Sequence, residues 1–175
     1  MPIVLAVIGA IIAAGIWYHR VQSAKAATTD LLGAANDVRL AARRFGYKRK
    51  TNVHPVDMIN DPRLAAAGIA AAIAGMDAPL SREEIAQLEL ETQVILRSEP
   101  DEAKAIAAFG RWISGQAGSP DEAVRRLSKR LRKLAGEEVA NDVLSLAQAV
   151  ATADGALDER QEDALRMVRT VFRVK

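Results

Sequence analysis

IAGMDAPLSREEIAQL (residues 73–88) and VATADGALDERQEDAL (residues 150–165) superpose without a gap at a constant offset of 77 residues. In each, an apolar stretch ends at an aspartate (Asp77, Asp154), a leucine follows three residues later (Leu80, Leu157), and a polar residue (Ser81, Asp158) opens a new segment. Ser81 with Glu84, and Asp158 with Gln161, have the spacing of a capping box. There the cap side chain and the third helical residue each satisfy an N–H that the helix leaves unpaired. A helix-turn-helix hairpin used twice predicts a pseudo-twofold helical bundle. Outward from the repeats, Asp61-Pro62, Ser98-Glu99-Pro100-Asp101 and Ser119-Pro120-Asp121-Glu122 mark further helix starts, and Gly136 marks a stop. These signals predict helices over 62–76, 82–96, 101–115, 120–135, 137–153 and 159–173. The short connections make them antiparallel neighbours in an all-α, compact bundle over 61–175, with no strand required.

The composition narrows the function. Half of the 175 residues are apolar, 26% are charged and the net charge is +2. That excludes a disordered chain and argues against a dedicated nucleic-acid binder. The chain has no cysteine, which removes disulfides, thiolate zinc, iron–sulfur clusters and cysteine nucleophiles together. Two histidines, His19 and His54, are too few for a multi-histidine metal site. No nucleophile–base frame and no glycine-rich phosphate loop is present, so no enzyme is expected.

The first segment reads PIVLAVIGAIIAAGIWY (residues 2–18), uncharged and close to the roughly 17-residue minimum for a membrane-spanning helix. Trp17 and Tyr18 sit where an interfacial aromatic belt lies, and His19, Arg20 and Lys25 follow them. Basic residues on the C-terminal side predict one transmembrane helix in a bacterial inner membrane, with the N-terminus outside and the rest of the chain cytoplasmic. Ala24-Lys25-Ala26 has the form of a signal-peptide cleavage site, but a signal peptide carries its basic residues before the apolar stretch. Ala6, Gly9, Ala10, Ala13 and Ala14 would let two such helices approach as a homodimer. Residues 19–60 form a basic juxtamembrane helix and loop, with eight basic against three acidic side chains; the remainder carries about −3. A helix starting at Thr29 or Asp30 should end at Gly46, and a basic loop should run from Tyr47 to Asn60.

Ala153-Asp154-Gly155-Ala156-Leu157-Asp158-Glu159-Arg160 resembles the alanine-aspartate-glycine signature of the TerB-like (tellurite-resistance) family. Asp77 to Glu84 looks like its weaker partner. The resemblance spans about Leu64 to Phe172 and is similar to the N-terminal helical region of DjlA-type membrane-anchored co-chaperones. It implies an all-helical domain with a metal-binding acidic surface near the two loops, and a role in assembling membrane-linked stress complexes. This chain has Gln161 where the family places a glutamate, and Ala78-Pro79 where it places a glycine. His54-Pro55-Val56-Asp57 echoes the J-domain tripeptide, but Val56 interrupts it.

The candidate metal ligands are Asp77, Glu84, Asp154, Asp158 and Glu162, because hard cations take several carboxylate oxygens. Calcium, manganese, magnesium and zinc are the candidates. The spacing is not that of an EF-hand, and capping alone accounts for Ser81, Glu84, Asp158 and Gln161. Between Arg125 and Lys133 six cations lie opposite Val124, Leu127, Leu131 and Leu134, an amphipathic basic helix suited to lipid or an acidic partner. Phe109 and Trp112 read as core. The expectation is a membrane-anchored cytoplasmic interaction or scaffold module of TerB-like type, responsive to divalent metal. Its expected partners are the lipid bilayer and a protein, not nucleic acid. The alternative is a metal-binding stress protein whose acidic loops are the functional site.

Overall fold

Five helix starts in the computed structural model, which describes residues 36–174, fall where the capping signals lie, at Pro62, Arg82, Pro100, Pro120 and Glu159. Residues 36–44 are helical (α1), followed by α2 (Pro62–Ala74), α3 (Arg82–Val94), α4 (Pro100–Ser114), α5 (Pro120–Ala135), α6 (Ala140–Ala151) and α7 (Glu159–Phe172). Two 3-10 turns, Pro55–Met58 and Gly115–Ala117, complete the helical structure, and no strand occurs among the described residues. The segment 2–18 lies outside them. No helix among the described residues is long and apolar enough to cross a membrane.

The caps explain the starts. Asp61 accepts from the Arg63 N–H at 2.9 Å, Ser119 from Glu122 at 3.2 Å, and the Ser81 and Asp158 capping boxes both close. The ends are less regular. α2 and α3 each stop two residues early, and α6 begins at Ala140 rather than 137. The cause at α6 is Gly136, whose φ of 79° turns the chain out of α5. Glu137 to Val139 are then spent on a turn in which the Ala140 N–H reaches the Glu137 carbonyl.

α2 is the axis of the bundle. Every residue from Leu64 to Ala74 is buried, so this helix is apolar all round, as a helix enclosed by others must be. It packs against α4, α5 and α6. Its alanines allow unusually close crossing: a Cβ added at Gly110 of α4 would stand 2.7 Å from the Ala67 carbonyl carbon. Phe109, Leu127, Leu146 and Phe172 fill the spaces around it, each fully buried and each contributing about 1.5–3 kcal/mol by leaving water.

The segment before α2 is tied to this core. Ala41, Val56 and Ile59 are wholly buried in it. Tyr47 stacks edge-on against Phe109 and Trp112 at 5.0 and 5.6 Å, and its hydroxyl donates to the Pro55 carbonyl. Arg63 lies over the Phe45 ring and is ion-paired to Asp61 and Glu102, which together hold its guanidinium firmly protonated. His54 caps the first 3-10 turn, its Nδ1 accepting from the Val56 N–H, and that accounts for it without a J-domain role.

Candidate functional site

The repeat places the α2–α3 turn and the α6–α7 turn at one end of the bundle, where they interlock crosswise. The start of α7 reaches the end of α2: Arg160 donates to the Met76 carbonyl at 3.1 Å and the Gln161 amide to that of Ala74 at 3.4 Å. These bonds satisfy carbonyls that a helix C-terminus leaves free. The crossing brings four of the five predicted carboxylates into one acidic corner. Asp77 and Asp158 meet carboxyl to carboxyl. The contact with Asp158 pushes the Asp77 carboxyl up, while Asp158 is held down by Asp77 and then by the backbone N–H groups of Gln161 and Arg160. Two adjacent carboxylates repel, so the one with fewer donors to its anion is the harder to ionise.

Glu84 belongs to the same corner but sits inside it, only 5% exposed. Burial is the main force raising its pKa, with the charges of Asp154 and Asp77 adding to it. The Ser81 N–H, which donates to its carboxylate at 2.7 Å, works in the other direction. Asp154 is exposed. Glu162 stands apart: it is exposed on α7, 3.7 Å from Arg166.

The arrangement sets limits on metal. Among the described residues no group of three or more His, Cys, Asp or Glu side chains is placed to hold an ion. Calcium wants six to eight oxygens and zinc three or four protein ligands, mostly histidine and cysteine, more than a two-carboxylate contact supplies. Magnesium or manganese, which retain water and accept one or two carboxylates, match the Asp77–Asp158 pair better. An apolar groove of about 290 Å³ lies beside the corner, lined by Ala71, Ala72, Ala78, Pro79 and Leu80 with Ser114 and Ser119 among its polar atoms. No titratable side chain lines it, so the groove by itself holds no nucleophile–base pair.

What motif reading missed is the reach of Arg160 and Gln161 to the carbonyls of the α2 end. Their signal was the 77-residue offset itself: Gln161 is the counterpart of Glu84, and a glutamine at that position can donate to a carbonyl where a carboxylate cannot. Neither a curated protein nor a solved structure matches the chain. Residues 63–175, from the first turn of α2 onward, match the family model described as Tellurite resistance protein TerB, and the chain belongs to that family.

Proposed function

We propose that this chain is a membrane-anchored cytoplasmic scaffold that presents its acidic corner to a protein partner in a stress-related assembly. The observation that carries the reading is the corner itself, where two loops 77 residues apart join Asp77, Glu84, Asp154 and Asp158. Two of the four carboxylates, Glu84 and Asp158, are held at fixed positions by capping boxes, which lowers the entropic cost of recognising a basic surface. The anchor is the apolar segment 2–18, oriented with its N-terminus outside. Cross-linking of the full-length chain in its native cell, compared with the Asp77→Asn/Asp158→Asn variant, tests the corner. Partners lost in the variant support the reading, and an unchanged set refutes it. Fractionation that leaves the full chain in the soluble pool refutes the anchor.

A second reading, a metal-binding stress protein, is favoured by the Asp77–Asp158 contact. A divalent cation would offset the repulsion between the two carboxylates. The residues fit a partly hydrated magnesium or manganese ion, with Glu162 outside the set. Calorimetric titration with magnesium, manganese, calcium and zinc decides it. Saturable heat with the first two, lost in Asp77→Asn, supports the metal; no heat with any ion removes it.

A further inference from the structure

One long face of α5, remote in character from the acidic corner, borders a groove of about 560 Å³ lined by Arg125, Arg126, Lys129, Arg130, Lys133 and a single acid, Asp57. We infer that this groove is a docking surface for the anionic phospholipid headgroups of a membrane. The inference rests on the membrane location proposed above, which supplies the lipid.

The cations differ in how far their charge is spent. Arg125 and Arg126 share Glu122, the former at 2.6 Å. Arg130 is fixed by neutral partners, its Nε donating to the Ile59 carbonyl at 2.7 Å and its terminal nitrogen to Ile59 and Asn60. Its guanidinium is therefore held in place without an ion pair among the described residues. Lys129 and Lys133, one turn apart, are exposed, and among the described residues neither is ion-paired. A preorganised guanidinium beside two free ammonium groups suits phosphate, which takes arginine as a fork and lysine as a point charge.

The lining also separates the possible occupants. Every side chain in it is charged. A protein interface needs an apolar or aromatic centre, which the groove beside the acidic corner supplies and this one does not, and is depleted in lysine. Single-stranded nucleic acid needs aromatic rings on which bases stack. A headgroup layer asks only for positive charge at a surface, each lysine or arginine gaining about 1 kcal/mol there.

The test is lysine acetylation of the full-length chain on vesicles, read residue by residue by mass spectrometry. Lys104, exposed on α4 and outside the groove, is the internal reference. Lys129 and Lys133 should be protected relative to Lys104 on vesicles containing phosphatidylglycerol, unprotected on phosphatidylcholine alone, and released by high salt. The Lys129→Gln variant, which changes only an exposed side chain, should weaken protection of Lys133 about five-fold, the share of one lysine at an anionic surface. Equal labelling on both vesicles overturns the proposal, as does protection by soluble glycerol phosphate at matched phosphate concentration, which would make the groove a site for free anions. Flotation of the vesicles reads the anchor separately. A chain that floats with both lipids yet shows no protection overturns the groove alone, whereas protection in a chain that floats only with the anionic lipid supports the groove and overturns the anchor. A chain that floats with neither overturns both.

Discussion

Replacing Gly110 by alanine sets two known effects against each other at the crossing of α4 and α2. An alanine inside a helix gains about 1 kcal/mol over glycine from the backbone entropy of the unfolded chain. The added Cβ, however, would meet the Ala67 carbonyl carbon at 2.7 Å, the Ala67 Cβ at 2.8 Å and its carbonyl oxygen at 2.9 Å. Comfortable carbon–carbon contact is about 3.5–4.0 Å, so α2 would have to retreat by about 1 Å. Its neighbours leave no room: α5 and α6 also pack against α2, and a Cβ at Gly68 would already stand 2.9 Å from Ile113 and 3.1 Å from Leu127. Because the obstacle is backbone rather than a side-chain tip, the cost belongs at the upper end of the usual overpacking range, about 3 kcal/mol. The net loss is then about 2 kcal/mol, or roughly 6–8 °C in Tm for a domain of this size. Thermal unfolding followed by circular dichroism measures it, with Gly155→Ala as the control, since nothing lies within 4 Å of a Cβ at Gly155. The control should stay within about 0.5 kcal/mol of the parent. A Gly110→Ala protein as stable as the parent would refute the close crossing.

Three further substitutions test the acidic corner and the basic face. Glu84 has a folded pKa raised above the ordinary carboxyl value, so the stability tied to its proton is present below that value and lost as pH rises through the raised one. Glu84→Gln should remove that loss while keeping the capping box, flattening the fall of the urea midpoint as pH rises above the ordinary carboxyl range. Gln161→Glu should do the reverse, setting a carboxylate against the Ala74 carbonyl; chemical unfolding at neutral pH should show a loss of about 2 kcal/mol that shrinks as the solution is acidified. Glu122, held down at about 2 by hydrogen bonds from Arg125 and Arg126, contributes stability above the ordinary carboxyl range that disappears as pH falls through about 2. Acid titration of Glu122→Gln should lack that step.

Much of the fold was legible because helix starts are local chemistry. Asp61, Ser81, Ser119 and Asp158 each satisfy an N–H two or three residues away, and such pairs are visible in the sequence. Helix ends were less so, because they depend on what the last turn packs against. Gly136 announced a stop, but not that Glu137 to Val139 would be used in a turn before α6 begins. The role of Tyr47 was hidden for a related reason: a basic loop gives no local sign that one of its residues will stack on rings of α4 some sixty positions later. Of the predicted ligands, the four at the corner were found through the repeat, which carries long-range information that a single motif lacks. Glu162 was chosen by its distance from Asp154 along the chain. On α7 that distance places it outward, beside Arg166.

The difference between the two repeats then acquires a physical meaning. At the second, Gln161 uses both ends of its amide, accepting from the Asp158 N–H and donating to the Ala74 carbonyl, so that position adds no charge. At the first, Glu84 closes the equivalent capping box with a carboxylate that has lost most of its contact with water. A buried charge without a cation is costly, and the charges of Asp154 and Asp77 raise the cost further. The fold accepts one such group, not two, and so concentrates its electrostatic tension at the Asp77–Glu84 side of the corner. Positive charge brought there, whether a proton or the cation or basic partner proposed above, would relieve that tension. If the tension is the source of the affinity, Glu84→Gln must weaken the partner or cation even though Glu84 itself is buried, and the exposed aspartates alone must bind less well than the intact corner.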